Sequence, residues 1–395
     1  MKRLLRISLD ILVTSIVPIT SYFLMGILIE PSLINIFSLT YPMQFIMSIY
    51  KSLFGVGTNV YAYKEDNKNA INSGIVLGII VGLFTFIAIA INIDKYILFM
   101  GMDVDKYRVF GIYSVLQIYL QLVLYLVINK LHYKEENKKA NKLSTIFNIV
   151  NFSFLIIPAI FIKNQIVVAT IALVATAITV IFILFKNIEK FRISINIFKW
   201  IKYDSVDLTT SIMFLLIYLF GLSNAFKYGE NYALAISFST LITDAQWDIT
   251  HSIGVAARID IVKNKFKYSE HLKNAFKLIG LILISIIAMF GILYPIYKSE
   301  LYITLIYVGA EIITFIAYPL YIIKICYMQI EYSAINATIN KQISNTIRFI
   351  LSFIPTPFCT VIGQLASMTY QLIYSNIMVR FKNKKIIREG EENGN

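Results

Sequence analysis

Apolar stretches of roughly twenty residues recur along the whole chain, and each is long enough to cross a bilayer as an α-helix. Of the 395 residues, 57% are hydrophobic and only 15% are charged, which is typical of a protein that crosses the membrane many times. The first apolar run is followed by no small-residue cleavage site, so we interpret residues 7–29 as a retained helix rather than a signal peptide. The chain is therefore predicted to be an all-α integral membrane protein.

About twelve transmembrane helices are predicted with a window of about twenty residues. Their predicted limits are 7–29, 33–62, 71–93, 108–130, 143–162, 165–186, 206–226, 231–257, 275–297, 301–328, 337–354 and 358–380. We expect an N-terminal six-helix lobe (1–186), a cytoplasmic amphipathic linker (187–205), a C-terminal six-helix lobe (206–380) and a cytoplasmic polar tail (381–395). An even number of crossings returns both termini to one side.

The net charge of +13 is explained by basic residues that collect on one side of the predicted spans. They are Lys2, Arg3 and Arg6; Lys130, Lys134, Lys138, Lys139 and Lys142; Lys186, Lys190, Arg192, Lys199 and Lys202; Arg258, Lys263, Lys265 and Lys267; and the tail from Arg380 to Arg388. This side is predicted to be cytoplasmic, so both termini are expected on the cytoplasmic side. We expect the protein in the bacterial cytoplasmic membrane. Basic residues in these positions determine topology, and we expect no nucleic-acid partner.

Two further features concern single segments. The linker mixes Phe198, Trp200 and other apolar residues with basic ones, which predicts a helix on the inner leaflet; a partner-binding helix is the alternative. Cys326 and Cys359 stand singly in apolar spans, so we expect two free, buried thiols and no cysteine metal site.

The two halves of the chain share residues in the same order, which indicates a duplication. The matching residues are Tyr133, Asn137, Asn141 and Lys142 with Tyr332, Asn336, Asn340 and Lys341 at a separation of 199; Gly55 and Val56 with Gly254 and Val255, again at 199; and Ser8 to Ile11 with Ser205 to Leu208 at 197. Six spans per copy make the copies parallel, related by an axis along the membrane normal. Transporters built in this way often bind their substrate between the repeats near mid-membrane.

Three ionisable residues interrupt the eighth predicted span. Asp244, Asp248 and His251 stand at i, i+4 and i+7, so they project from one face of a helix that should line a protein interior or a wet cavity. Two nearby carboxylates in a low dielectric cannot both ionise without cost, which favours a proton or cation site. The alternative is a structural ion pair with Lys51 or Arg258. The duplication maps Lys51 onto Thr250, which predicts a similar depth for Lys51.

Other polar or aromatic residues within spans are candidate ligands. Glu311 is the lone acid inside the tenth span and is a candidate ion-binding residue, or a carboxylate held by Lys298 or a hydroxyl. Trp247 is a candidate for cation–π contact with an organic cation, or a packing residue. Gln117 and Gln121 share a helix face; they either contact solute or bond neighbouring helices.

Several motifs together resemble the MATE family of multidrug and toxic-compound extrusion transporters, within the MOP flippase superfamily. The resemblance is carried by Pro18 in the first span, the run from Tyr41-Pro42 to Asn59, the turn Lys64 to Ala70 and the repeated glycines Gly74, Gly78 and Gly82. It implies two pseudo-symmetric six-helix lobes around a central cleft. Many members carry an acid in the middle of the first span; Pro18 to Gly26 has none, so an ion site must be built elsewhere.

The resemblance implies an ion-coupled (Na⁺ or H⁺) antiporter that exports organic cations or drugs by alternating access. The alternative is a flippase for a lipid-linked oligosaccharide or another lipid-linked precursor, whose cleft should carry several cations; only Lys51, Lys324 and Arg348 are candidates. An enzyme is disfavoured, because the sequence contains no phosphate-binding glycine loop, His/Cys metal cluster or evident Ser-His-Asp set. We expect a monomer in the lipid bilayer, with a small organic cation as partner and no cofactor beyond the coupling ion.

Overall fold

The computed structural model describes residues 20–67, 69–187, 197–263, 266–331 and 333–392, with side chains given except at 245, 248, 331, 334 and 379–392. All regular secondary structure in these ranges is helical. The helices are α1 (20–28), a 3₁₀ turn (Pro31–Ile34), α2 (Asn35–Tyr50), a π segment (Lys51–Val56), α3 (Gly57–Lys64), α4 (Asn69–Ile91), α5 (Ile93–Phe99), α6 (Val104–Tyr133), α7 (Asn137–Phe161), α8 (Gln165–Asn187), α9 (Ile197–Tyr203), α10 (Ser205–Phe226), α11 (Glu230–Val262), α12 (Tyr268–Tyr297), α13 (Leu301–Glu331), α14 (Ala334–Leu351) and α15 (Cys359–Glu392).

Eight helical stretches in the described ranges are long and apolar enough to cross a membrane. They are Pro31–Lys64, Asn69–Ile91, Val104–Tyr133, Asn137–Phe161, Gln165–Asn187, Ser205–Phe226, Tyr268–Tyr297 and Leu301–Ile330. Each coincides with a predicted span. Three further predicted spans fall on α11, α14 and α15, which are helical as well. The protein is a multi-pass, all-α membrane protein, as predicted.

The chain divides into two compact units. In the described part, the N-terminal unit contains residues 20–241 and the C-terminal unit contains residues 242–392. The boundary falls inside α11, and α10 packs on α2 within the N-terminal unit. The predicted lobe and linker limits stay predictions; most of the predicted linker (188–196) lies outside the described residues.

Helix boundaries repeat between the two halves with the separation seen in the sequence. Helices α3 and α11 end at Lys64 and Val262, and α4 and α12 begin at Asn69 and Tyr268. The turn after α6 and the turn after α13 likewise fall at equivalent places, since these helices end at Tyr133 and Glu331. The same order of helices therefore occurs twice, which agrees with duplication.

The glycines of α4 allow close packing in the N-terminal unit. A Cβ at Gly74 would lie 2.6 Å from the Phe54 carbonyl oxygen of the π segment, and one at Gly78 would lie 2.7 Å from Leu126 of α6. Small residues at a spacing of four permit such contacts between membrane helices. The stripe of glycines thus fixes α4 against α6 and the π segment.

The short helix α9 docks on the same region. Trp200 is fully buried and its ring packs edge-on against Phe54 at 6.3 Å. A Cβ at Gly57 would lie 2.8 Å from the Trp200 carbonyl oxygen, so only glycine fits there. Trp200 of the predicted amphipathic helix therefore packs against protein.

A polar ladder joins α14 and α15 in the C-terminal unit. Asn340 donates to Gln371 at 2.7 Å, and one turn further along the hydroxyls of Ser344 and Ser367 are 2.6 Å apart. The spacing of four residues on both helices keeps these pairs on facing stripes. Hydrogen bonds of this kind hold membrane helices together where apolar burial provides little driving force.

Candidate functional site

A carboxylate lies where three helices of the C-terminal unit meet. Glu311 stands on α13, and its Oε2 accepts a hydrogen bond from Trp247 Nε1 on α11 at 2.7 Å. Gln364 Nε2 on α15 donates to the same oxygen at 2.9 Å and to Thr314 Oγ1 at 3.2 Å. Two neutral donors thus fix one carboxylate oxygen. We call Trp247, Glu311, Thr314 and Gln364 the carboxylate cluster.

The second oxygen of Glu311 has a different environment. Among the described residues, no hydrogen bond reaches Oε1. Arg348 on α14 acts on the carboxylate electrostatically. Glu311 is half-buried. One oxygen of this carboxylate is therefore held by two donors, and the other accepts no hydrogen bond from the described residues.

Aromatic rings surround the indole of the cluster. The Trp247 ring centroid lies 4.5 Å from that of Phe315, and Tyr318 packs edge-on at 5.6 Å. His251, one turn after Trp247, has its ring 6.0 Å from both Trp247 and Tyr318. Phe315 and Tyr318 are buried, Trp247 is half-buried and His251 is exposed. Negative ring faces beside a carboxylate form an environment suited to cations.

No protein-family model matches the chain, and no curated protein sequence matches it. Solved structures do match. An inward-facing multidrug resistance MATE family transporter of the MOP superfamily has a TM-score of 0.66 at 13% identity, over 94% of this chain and 96% of that one. The chain has the fold of the MATE transporters.

Two other structures show the MATE fold at similar distance. An outward-facing MATE family transporter of the MOP superfamily has a TM-score of 0.59 at 13% identity, over 96% of each chain. A MOP superfamily transporter from Pyrococcus furiosus has a TM-score of 0.61 at 14% identity, over 95% of each chain; its binding pocket is described as having reverse polarity, which suggests a different function. These matches bear out the predicted fold class over nearly the whole chain.

The acidic stretch of the sequence lies on α11. Asp244 is half-buried on α11 and His251 is exposed on it, and the side chain of Asp248 lies outside the described residues. Trp247, which the sequence offered as either a ligand or a packing residue, contacts Glu311 directly. Of the predicted residues, the structure brings Trp247, His251 and Glu311 together.

Three predicted residues belong to the N-terminal unit. Lys51 begins the π segment, with its ammonium 4.5 Å from the Tyr125 ring centroid. Gln117 on α6 is 5% exposed, and neither amide atom has a hydrogen-bond partner in the described ranges. Gln121 is half-buried one turn later.

Two amides of the C-terminal unit were not predicted as site residues. Gln364 completes the carboxylate cluster, and Gln246 donates to Ser285 Oγ of α12 at 3.0 Å. Both stand in otherwise apolar spans, as Gln117 does. The sequence feature that could have identified them is an uncharged amide within a membrane span. Such residues usually join helices, and only the contact with Glu311 distinguishes Gln364.

A second acid lies outside the spans. Asp204 precedes α10 and its Oδ2 accepts a hydrogen bond from Ser52 Oγ of the π segment. Burial raises the pKa of Asp204 to about 6; the hydrogen bond from Ser52 opposes this and the nearby Asp207 charge adds to it. This carboxyl therefore changes charge close to physiological pH.

Proposed function

We propose that this chain is an ion-coupled antiporter that exports organic cations by alternating access, with Glu311 as the cation-binding carboxylate of its C-terminal unit. The observation that carries the proposal is the asymmetry of Glu311, whose Oε2 is held by Trp247 and Gln364 while Oε1 accepts no hydrogen bond from the described residues. Ionisable residues inside membrane spans are costly and usually functional.

The geometry supports an exchange in which two different cations bind in turn to the same carboxylate, that of Glu311. A coupling ion, Na⁺ or H⁺, neutralises Glu311, and an organic cation that needs the same negative charge competes with it. Trp247 keeps the carboxylate oriented and offers an aromatic face beside it. Because both cations cannot be bound at full strength together, arrival of one promotes release of the other.

The fold supports the transporter part of this proposal and leaves the solute open. The binding pocket of the Pyrococcus furiosus neighbour has reverse polarity, which suggests a different function for that protein. For a flippase of a lipid-linked precursor, the pocket should be positive. Of the three candidate cations, Lys324 donates to Asn376 on the next helix but one, and Lys51 lies over Tyr125. The carboxylate oxygens of Glu311 instead favour a cationic solute.

The test is efflux of ethidium from drug-sensitive bacterial cells that produce the protein. We expect wild type to lower cellular ethidium and Glu311→Gln to abolish the effect, because the amide keeps the shape but lacks the charge. Glu300→Gln is the matched control, since Glu300 lies just before the same helix and is exposed. Removing the sodium gradient in one arm and the proton gradient in another identifies the coupling ion.

Two results would contradict the proposal. Efflux by Glu311→Gln equal to that of wild type would remove Glu311 from the mechanism. Absence of efflux by wild type, together with movement of a fluorescent lipid-linked saccharide across proteoliposome membranes, would favour the flippase.

A further inference from the structure

Four side chains form a polar cluster at the first turns of α6 and α11. Glu230, the first residue of α11, accepts hydrogen bonds from Lys106 Nζ and, at 3.1 Å, from Tyr107 Oη. Lys106 Nζ also lies 3.3 Å from Glu30 Oε1. We call Glu30, Lys106, Tyr107 and Glu230 the outer cluster. It ties the beginning of α11 to α6 and to the turn after α1.

One part of the outer cluster is rigidly held and the other is exposed. Tyr107 is 2% exposed, and its hydroxyl accepts a hydrogen bond from the buried Asn35 at 2.9 Å. Ser32 in turn holds Glu30 at 2.6 Å. By contrast, the side chain of Glu230 is 57% exposed. Asn35 therefore holds the buried Tyr107 in place, Ser32 orients the side chain of Glu30, which is 41% exposed, and the more exposed Glu230 is the partner that can leave this seat.

A second contact holds the adjacent end of α10. Ser223 Oγ donates to the Phe99 carbonyl oxygen at 2.7 Å. Gly101 has a φ of +77°, and a Cβ there would lie 3.3 Å from the backbone nitrogen of Lys227. Two separate sets of contacts thus join the region of the turn between α10 and α11 to the last residue of α5 and the first turn of α6. All of these residues belong to the N-terminal unit.

These contacts join the two copies of the repeat. Helices α10 and α11 begin the second copy of the repeat, whereas α5, α6 and Glu30 belong to the first. The Lys/Arg distribution predicts that this end of the helices is extracellular. Helix α11 then continues into the C-terminal unit, where it carries Trp247 of the carboxylate cluster.

We propose that the outer cluster is an extracellular latch between the two repeats, with Lys106 and Glu230 as gating residues whose ion pair breaks each time the transporter opens outward. The inference rests on the proposed alternating access. Exposed ion pairs stabilise a structure only slightly, so this pair can open and close in every cycle. The buried Asn35–Tyr107 contact restores the same geometry at each closure.

The test measures the latch directly, by electron spin resonance distances between labels at Asp105→Cys and Asn231→Cys. Both positions are exposed, and Cys326 and Cys359, each 0% exposed, are replaced by serine in the background. We expect Glu230→Gln to raise the ratio of long to short distances about two- to fivefold, as an exposed pair allows. Glu230→Lys should raise it further, and Lys106→Glu added to Glu230→Lys should reverse part of that increase.

A matched control exists on the same side of the molecule. Arg108 Nε and Asp94 Oδ1 are 2.8 Å apart in an ion pair of similar exposure, but both residues belong to the first repeat. Asp94→Asn should leave the distances unchanged. Bridging Lys106→Cys to Glu230→Cys with a reducible thiol reagent should lower the maximal rate of ethidium efflux, with little change in KM, until reductant is added.

Unchanged distances in Glu230→Gln and Glu230→Lys, or full efflux by the bridged protein, would overturn the latch. If the proposed antiporter function is wrong, the result is different, because the wild-type protein then exports no ethidium. The distance measurements need no transported solute, so they decide on the latch in that case too.

Discussion

The two tryptophans of the chain differ in what their indole N–H groups meet. Trp247 donates to Glu311 at 2.7 Å, in a cluster of polar and aromatic groups. Trp200 is fully buried, and its Nε1 has no acceptor within the described residues. The same side chain therefore holds a carboxylate in one place and only fills space in the other.

This contrast gives a prediction. Trp247→Phe keeps an aromatic ring beside Phe315 but removes the donor, and a hydrogen bond to a charged group is worth about 1.5–3 kcal/mol. We expect ethidium efflux to fall about tenfold or more. Trp200→Phe is the control, since it removes an N–H that has no described partner, and its efflux should stay near wild type. Equal efflux by both variants would show that the Trp247 hydrogen bond does not matter for transport.

Asp204 predicts a dependence of stability on pH. Its pKa is raised from the usual 3.8 to about 6, so the folded chain holds the proton more tightly than the unfolded chain does. The stabilising contribution is full below about pH 3.8 and is lost as the pH rises through about 6. We expect the Tm of purified wild type to fall relative to that of Asp204→Asn between about pH 4 and pH 7.

The neighbouring acid provides the check on this assignment. The charge of Asp207 helps to raise the pKa of Asp204, so Asp207→Asn should move the decline in Tm to lower pH. A constant Tm difference between wild type and Asp204→Asn over the whole range would contradict the raised pKa.

At the scale of helices, glycines differ in the space around them. A Cβ added at Gly74 on α4 would lie 2.6 Å from the Phe54 carbonyl oxygen, whereas a Cβ added at Gly280 on α12 would have no heavy atom within 4 Å. We expect Gly74→Ala to lower the stability by about 1–3 kcal/mol through overpacking. Gly280→Ala should be neutral or slightly stabilising, because alanine favours the helix. Thermal unfolding in detergent compares the two; an equal change in both would argue against the close packing of α4.

The elements themselves were largely predictable, because length and hydrophobicity alone determine where a helix can cross a membrane. The predicted spans 165–186 and 301–328 fall on Gln165–Asn187 and Leu301–Glu331. The π segment was not predictable. Nothing in Lys51 to Val56 distinguishes it from an ordinary helical turn, and the neighbours of its Phe54, namely Trp200 and Gly74, are distant in sequence.

For the whole molecule, the sequence predicted the fold class and the duplication, while the candidate site could be predicted only in part. Glu311 stood out as a lone acid in an apolar span, but its pairing with Trp247 joins residues 64 positions apart. No local pattern reports such a contact. The emphasis on Asp244 and Asp248 came from helical spacing, which defines a shared face without revealing what that face meets.

The π segment also has a consequence for the ancestry of the molecule. Gly55 and Val56 lie within it, but their counterparts Gly254 and Val255 lie in an uninterrupted α-helix. A π turn is wider than an α turn, so it rotates the residues that follow it about the helix axis. Side chains at equivalent positions of the two halves therefore project in different directions. The two halves therefore differ in their winding as well as in their residues, although they keep the same order of helices.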